Sequence, residues 1–424
     1  AAPGSTRTIS DKVTTVGTHT YTVVSSNLAG DEGRSTSASV FVGPNVPNAP
    51  VDVKAVENAQ SFGELTLSWK DPETDIAGNP LLAANLTYNV YFYDNAKKEW
   101  ILLNEQPLTE RTYTFRAQAA DAPQAFAQVL IEAHNRGVAA EEFAGAGLVA
   151  VGPGYQLPVA MTCIDDVKKY IIGIDDWEGC EFGMKADGDM SSVISQDGDG
   201  QFFYGERVGS STTLGASKGI GDFVFGKVDL FGAKNPVFTF YTWKITETDK
   251  TRLEIIAICN GERKTVTTID YNNDDNDIWT KKVVDLSEYK DKAIQLIIRY
   301  YSDGLVYCFF DNMKFMDMPD YDLNAVAVTA PESVVGGDTF DVTATIENVG
   351  RLDVSGFDVE LLANNKVVDV KHVDLLAAGE TANVSFEQII TMAQDKVVEY
   401  TARVVCSADL DASNNITPKA AKVT

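Results

Sequence analysis

Apolar residues recur at every second position over most of the chain. In ELTLSW (64–69) Leu65, Leu67 and Trp69 share one face, and in FDVTATI (340–346) Phe340, Val342, Ala344 and Ile346 do. An extended chain points successive side chains to opposite faces, so a period of two predicts half-buried β-strands. VFTFYTW (237–243) and QLIIRYY (295–301) are rich in β-branched and aromatic residues, which also favours strand. Sustained helical periodicity is nearly absent, and the Ala-rich AADAPQAFAQ (119–128) is interrupted by Pro123. Three Pro-rich joints, GPNVPNAP (43–50), VGPGYQLP (151–158) and MDMPDYD (316–322), separate four β-modules, the first incomplete. Short strands divided by turn residues predict an all-β chain of sandwiches.

Particular stretches resemble known families. Residues 48–150, with Pro50, LTLSW (65–69), YNVYFYD (88–94) and VLIEAHNRGVA (129–139), resemble a fibronectin type III module, with Ala127 where a corner tyrosine usually stands. HTYTVVSSNLAGDEGRSTSASVFVG (19–43) resembles the second half of another, with His19 at the corner. A segment this short cannot supply seven strands, so it reads as a fragment of a longer secreted protein or as a short sheet padding the next module. GDFVFGKVDLFGAKNPVFTFYTW (221–243) and DIWTKKVVDLSEYKDKAIQLIIRYYSDGLVYCFFDNMKF (277–315) are similar to the jelly-roll of bacterial cleaved-adhesin domains, relatives of the MAM module. Gln201-Phe202-Phe203 stands where that family has a Trp, and CIDD (163–166) replaces its acidic start. DLNAVAVTAPESVVGGDTFDVTATIENVG (322–350), GFDVELLANNKVVDVKHVDLLAAGETANVSF (356–386) and DLDASNN (409–415) resemble the CARDB module, an Ig-like domain of bacterial adhesion proteins. The resemblances imply tandem Ig-like β-sandwiches flanking a larger jelly-roll. The expected modules are 1–47 (partial fibronectin type III), 48–152 (fibronectin type III), 158–318 (jelly-roll) and 320–424 (CARDB).

Composition narrows the partners. The 424 residues are 44% hydrophobic and 23% charged, an ordinary globular balance, with a net charge of −26. Such a charge repels nucleic acid and anionic membrane surfaces, and it suits hard cations bound through carboxylates. No apolar run reaches bilayer length, so no membrane insertion is expected. The first ten residues carry no basic patch and no apolar signal core. Five cysteines without a Cys-x-x-Cys spacing argue against a zinc or thioredoxin-type site. Cys163 and Cys180 are close enough in sequence to close a loop, but isolated buried thiols are the simpler reading.

Candidate chemistry is sparse. His19, His134 and His372 fall in different modules, which disfavours a nucleophile–base pair. No Gly-x-Ser-x-Gly, His-Glu-x-x-His or phosphate-loop motif occurs. GIDDWEGCEF (173–182) groups Asp175, Asp176, Glu178 and Glu181 around Trp177, the minimum for two-carboxylate glycoside hydrolysis, without the alternating acidic signature of jelly-roll glucanases. KADGDMSSVISQDGDGQFFYG (185–205) has two Asp-Gly-Asp groups but neither the spacing nor the closing Glu of an EF-hand. It reads as two turns around a short strand, SSVIS (191–195). YNNDDNDIW (271–279) reads as an acidic hairpin loop, with a calcium loop as the alternative. The jelly-roll resemblance implies a structural calcium held by Asp311 with Asp165 or Asp166. Trp177, Phe202, Phe203 and Tyr204 are the expected ligand contacts, because adjacent aromatics on a strand send at least one ring away from the buried face.

The chain is therefore expected to be a non-catalytic, monomeric adhesion or ligand-binding protein at a bacterial surface or outside the cell. The jelly-roll would bind a glycan or extracellular protein, and the Ig-like modules would act as spacers. The alternative is the accessory C-terminal region of a secreted peptidase or glycoside hydrolase.

Overall fold

Alternation in the sequence becomes strand in the structure almost everywhere. The computed structural model describes the chain outside residues 1–5, 14, 16, 28, 44, 163–165, 167–168, 178–179, 188, 190–192, 197, 199, 208–218, 244–251, 271–276, 303–307 and 391–396. At 17, 41, 172, 174–177, 180–185, 205–207, 219–221, 270, 302 and 308 it describes the strand backbone only. The fold is all-β, and among the described residues no helix is long and apolar enough to cross a membrane. Two compact units divide the chain. The first holds Ala1–Leu230, Phe240–Lys282 and Lys292–Met313, and the second Phe231–Thr239, Val283–Asp291 and Lys314–Thr424.

The first unit opens with an antiparallel hairpin, Gly17–Ser26 with Glu32–Val42. Asn27 shapes its turn by accepting the amides of Ala29 and Asp31 at 2.9 and 3.0 Å. Among the described residues only two strands form here, and Tyr21, Val23, Val24 and Val40 stay exposed. The sandwich that follows faces the sheet Val51–Glu57, Glu64–Lys70, Thr112–Arg116 with the sheet Val138–Ala139, Val129–Asn135, Leu86–Asp94, Glu99–Leu102. Leu67, Trp69, Tyr88, Val90, Ile131 and Ala133, every second residue of their strands, make its core. Tyr88 meets Trp69 edge-on at 5.3 Å and donates its hydroxyl to Asp71 at 2.6 Å. Arg111 grips the same carboxylate from two nitrogens and holds Asp71 below the usual carboxylate range. Ala127, at the corner position, is buried with Leu65 and Val151.

The jelly-roll has two six-stranded sheets. One runs Tyr155–Gln156, Gly219–Asp229, Ala293–Ser302, Arg252–Cys259, Glu262–Asp270, with Ile172–Trp177 also on Gly219–Asp229. The other runs Cys180–Ala186, Gln201–Arg207, Cys308–Asp317, Pro236–Trp243, Trp279–Asp285, with Val159–Met161 on Cys308–Asp317.

Within the first unit the sandwich and the first jelly-roll sheet share a buried seam. Val224, Ile256 and Ile297 on the sheet are covered by Leu148, with Phe126 and Ile258 packed alongside. Close approach is possible because the jelly-roll offers glycines there. A Cβ on Gly173 would stand 2.4 Å from Leu148 Cδ1, and one on Gly226 would stand 2.6 Å from Gln124 Oε1. Two buried amides stitch the seam. Gln295 donates to the Leu148 carbonyl at 2.9 Å and accepts the Ala150 amide at 3.1 Å. Gln124 donates to the Pro153 and Lys227 carbonyls at 2.8 and 2.9 Å. Glu57 pairs with Lys227 and accepts the Gly63 and Gly152 amides at 2.8 and 2.7 Å. The sandwich is thus fixed to the jelly-roll rather than freely jointed.

In the second unit Leu323–Thr329, Thr339–Asn348, Thr381–Ile389 face Lys366–Leu376, Val354–Ala363, Val398–Val405, Ala421–Val423 over a core of Val342, Ile346, Phe357, Leu361 and Phe386. Fully buried Asn348 donates to the Leu352 and Leu376 carbonyls and accepts the Gly350 amide. In DLDASNN, Asp409 accepts the Leu323 amide and Asn414 donates to Asp322, tying the last loop to the first strand.

Because the seam buries apolar side chains and pairs the Leu148, Ala150 and Lys227 backbone groups across it, the sandwich and jelly-roll are expected to unfold together. Leu148→Asp places a charge in the seam and should split their calorimetric transition into two, whereas a split transition already in the unaltered protein would refute the coupling.

Candidate functional site

The Asp/Gly stretch is built as scaffold. Asp187 accepts the Ser195 amide and hydroxyl at 2.6 and 3.2 Å, and its own amide donates to Gly200. Asp189 accepts the Ala186 amide at 3.1 Å. Gly198 and Gly200 have φ of 78° and 86°, a region open to glycine at little cost. Asp197 and Asp199 lie outside the described residues. The short strand expected at 191–195 does not form in its described part, 193–195. Those residues instead fold over the outer face of the second jelly-roll sheet. Val193 joins Phe202, Trp243 and Phe309 in a buried cluster, and Trp279 Nε1 donates to the Ile194 carbonyl at 2.7 Å.

Phe202 and Phe203 are therefore not ligand contacts, being 0% and 2% exposed. Alternation does send them to opposite faces, but both faces are covered. Phe203 points between the sheets onto Phe223 at 5.9 Å, and Phe202 lies under the 193–196 segment, edge-on to Phe309 at 5.6 Å. Tyr204 is half-buried beside the same cluster. Trp177 lies in a strand paired with Ile220, and its side chain is outside the described set, as are those of Asp175, Asp176 and Glu181 and the whole of Glu178.

Of the expected metal ligands, Asp165 lies outside the described residues. Asp166 accepts the Thr162 amide and hydroxyl at 3.1 and 3.3 Å. Asp311 is fully buried and accepts the Gln196 and Asn312 amides at 2.7 Å each. The Asn312 side chain donates to Gln196 Oε1 at 3.0 Å, while its own buried Oδ1 accepts no hydrogen bond. Among the described residues no three His, Cys, Asp or Glu side chains converge as a metal cluster. The histidines are dispersed: His19 lies 3.0 Å from the Thr15 carbonyl, His372 pairs with Asp358, and His134 meets Glu132. Cys259 and Cys406 are half-buried free thiols.

The most ligand-like surface lies elsewhere, on the solvent side of the sandwich sheet Val129–Asn135, Leu86–Asp94, Glu99–Leu102. Its cross-strand rows are Tyr93 with Trp100, then Tyr91 with Leu102 and Leu130, then Asn89 with Glu132. Partners in a row share a face, and successive rows are about 7 Å apart. Trp100 is 42% exposed and braced edge-on by Tyr93 at 5.3 Å, while Phe143, 46% exposed, braces Tyr91 at 5.6 Å. Glu132 accepts the Tyr91 hydroxyl at 3.0 Å and lies 2.8 Å from His134 Nε2. Burial, first, and that hydrogen bond push the Tyr91 hydroxyl pKa up, keeping it a donor. Beside Trp100 a groove of about 290 Å³ is lined by Gln128, Val129, Leu130, Gly145, Gly147 and Arg263. Its signal in the sequence is the second face of YNVYFYD: Asn89, Tyr91 and Tyr93 alternate with the core set, so this strand is aromatic on its outer side too.

Comparison with known proteins identifies residues 320–417 as a CARDB domain. No curated protein matches the chain. Similar solved structures include a CARDB domain from Pyrococcus furiosus in complex with di-metal ions, 20% identical over 25% of this chain and 91% of that one, TM-score 0.22. The K1 cleaved adhesin domain of Lys-gingipain from Porphyromonas gingivalis is 12% identical over 34% and 96%, TM-score 0.24. Carbohydrate-binding modules of the β-sandwich superfamily are 11% identical over 63% and 98%, TM-score 0.27.

Phe202→Ala should cost about 3–5 kcal/mol of stability in urea unfolding, as expected for a large ring removed from a packed core. Tyr204→Ala at the cluster's rim should cost clearly less, and equal costs would contradict the assignment of Phe202 to the interior.

Proposed function

We propose that this chain is a non-catalytic, extracellular adhesion or ligand-binding protein of bacterial origin whose ligand is a glycan. One observation carries the reading. Tyr91, Tyr93, Trp100 and Phe143 stand on the solvent side of a sheet whose other side is a filled core, and each is braced by an aromatic neighbour. Trp100 and Phe143 are 42% and 46% exposed beside the half-buried Tyr91 and Tyr93, and exposed apolar surface of this kind marks interaction sites. Flat, fixed rings beside hydrogen-bonding side chains suit a sugar, which has apolar C–H faces and a polar rim. The same binding role would serve an accessory region of a secreted hydrolase. The test is retention on immobilised polysaccharides and matrix proteins, with product release followed in parallel. Retention on a polysaccharide without turnover is the expected result. Turnover that disappears in Asp176→Asn or Glu178→Gln would overturn it, and so would retention on nothing.

A structural calcium in the jelly-roll belongs to the same proposal. Calcium takes oxygen ligands only, and the buried Asn312 Oδ1 beside the buried Asp311 carboxylate is an acceptor in need of a partner. Asp311 and Asn312 would supply two of the roughly six to eight oxygens the ion takes. Binding to the folded state alone raises stability by about 2.7 kcal/mol at a hundredfold excess over Kd. Millimolar calcium should therefore raise the melting temperature relative to chelator, more in the unaltered protein than in Asn312→Ala. An unchanged melting curve would remove the ion.

A further inference from the structure

We propose that the groove beside Trp100 binds one pyranose ring of a polysaccharide chain, with Trp100 as the stacking platform and Gln128 as the hydroxyl-reading side chain. The inference deepens the glycan-binding reading above and rests on it.

Trp100 belongs to Glu99–Leu102, the terminal strand of its sheet, so the indole stands at the sheet's margin. Tyr93, directly across the ladder, holds it at 5.3 Å and 60°. A ring so held loses little freedom when a ligand lies on it. Next to it the floor is cut away. Gly145 pairs with Leu130, and a Cβ there would come within 3.1 Å of Leu130 Cδ2 and 3.0 Å of the Val129 carbonyl. Gly147 has φ 73°, in the left-handed region that favours glycine. Both glycines line the depression, and a side chain at Gly145 would crowd its Leu130 wall.

Its lining is mixed rather than apolar. Val129, whose side chain belongs to the core, and the half-buried Leu130 line it as well. The half-buried Gln128 uses its carbonyl to accept the Tyr93 amide, while its side-chain amide makes no hydrogen bond among the described residues. Arg263, from the jelly-roll, anchors one guanidinium nitrogen on the Ala146 carbonyl at 2.7 Å and lines the groove. A flat aromatic face, a carboxamide that both donates and accepts, and a guanidinium match the C–H face and adjacent hydroxyls of a sugar ring. At about 290 Å³ the groove suits a small ring and not a helix. The Tyr91 and Leu102 row continues from it toward Asn89, Glu132 and His134, which gives the neighbouring units of the chain a surface to follow.

The experiment is titration calorimetry of the full chain with oligosaccharides of β-glucan, xylan, chitin, mannan and hyaluronan, comparing the unaltered protein with Trp100→Ala, Gln128→Ala and, as control, Tyr204→Ala. Trp100→Ala should weaken binding of at least one oligosaccharide about tenfold or more, the effect of losing roughly 1.4 kcal/mol. Gln128→Ala should weaken the same oligosaccharide by a smaller factor, and Tyr204→Ala should leave it unchanged. Melting curves establish that each variant is folded, and a variant that is not is replaced by Trp100→Phe. Sugar binding that survives Trp100→Ala undiminished overturns the groove and leaves the glycan-binding reading standing. Binding of no oligosaccharide by the unaltered protein, with a matrix protein retained through Trp100, overturns the sugar. Retention of neither overturns both.

Discussion

Gln295 sits where water does not reach, with one end on the Leu148 carbonyl and the other on the Ala150 amide. Backbone groups buried without partners cost free energy comparable to a lost hydrogen bond, so a strand of the sandwich can lie on the jelly-roll sheet only if something reads its polar edge. Gln295 does this for the sandwich strand and Gln124 does the converse for the jelly-roll backbone at Lys227, both in one register. The apolar contacts of Leu148 with Val224, Ile256 and Ile297 supply attraction but little direction, whereas the amides fix where the surfaces meet. The groove depends on this register, because it takes Arg263 from the jelly-roll and every other lining residue from the sandwich.

The same constraint explains the glycines. Gly173 and Gly226 occupy jelly-roll positions where a Cβ would intrude on Leu148 or Gln124. Their role is absence of bulk. The ordinary requirement that a turn reach positive φ accounts for Gly198 and Gly200 instead. Two kinds of glycine therefore look identical in the sequence and do different work.

Much of the fold was legible. Period-two alternation in ELTLSW and FDVTATI places the core residues correctly, and the CARDB motifs fall on an identified domain, with Asn348 and DLDASNN as its tie points. The site was not. Phe202 and Phe203 drew attention because adjacent aromatics on a strand cannot share one face, and that geometry is correct. What alternation does not report is whether a second layer lies over the outer face. Here the 193–196 segment does, and it was expected to be a strand of its own. Conversely, Tyr91, Tyr93 and Trp100 looked like ordinary strand aromatics, since nothing local distinguishes an outer face that is bare from one that is covered. Gln295 and Arg263 were invisible for a related reason: their partners lie more than a hundred residues away.

Trp100 lies beside a surface groove at the margin of a sheet and not at the bottom of a closed cavity. A polymer need not present a terminus to reach it. Any internal unit of a long strand can settle there sideways, and the rest of the strand passes out on either side. A single filament would then offer as many landing places as it has repeats, and many copies of the protein could decorate it at once.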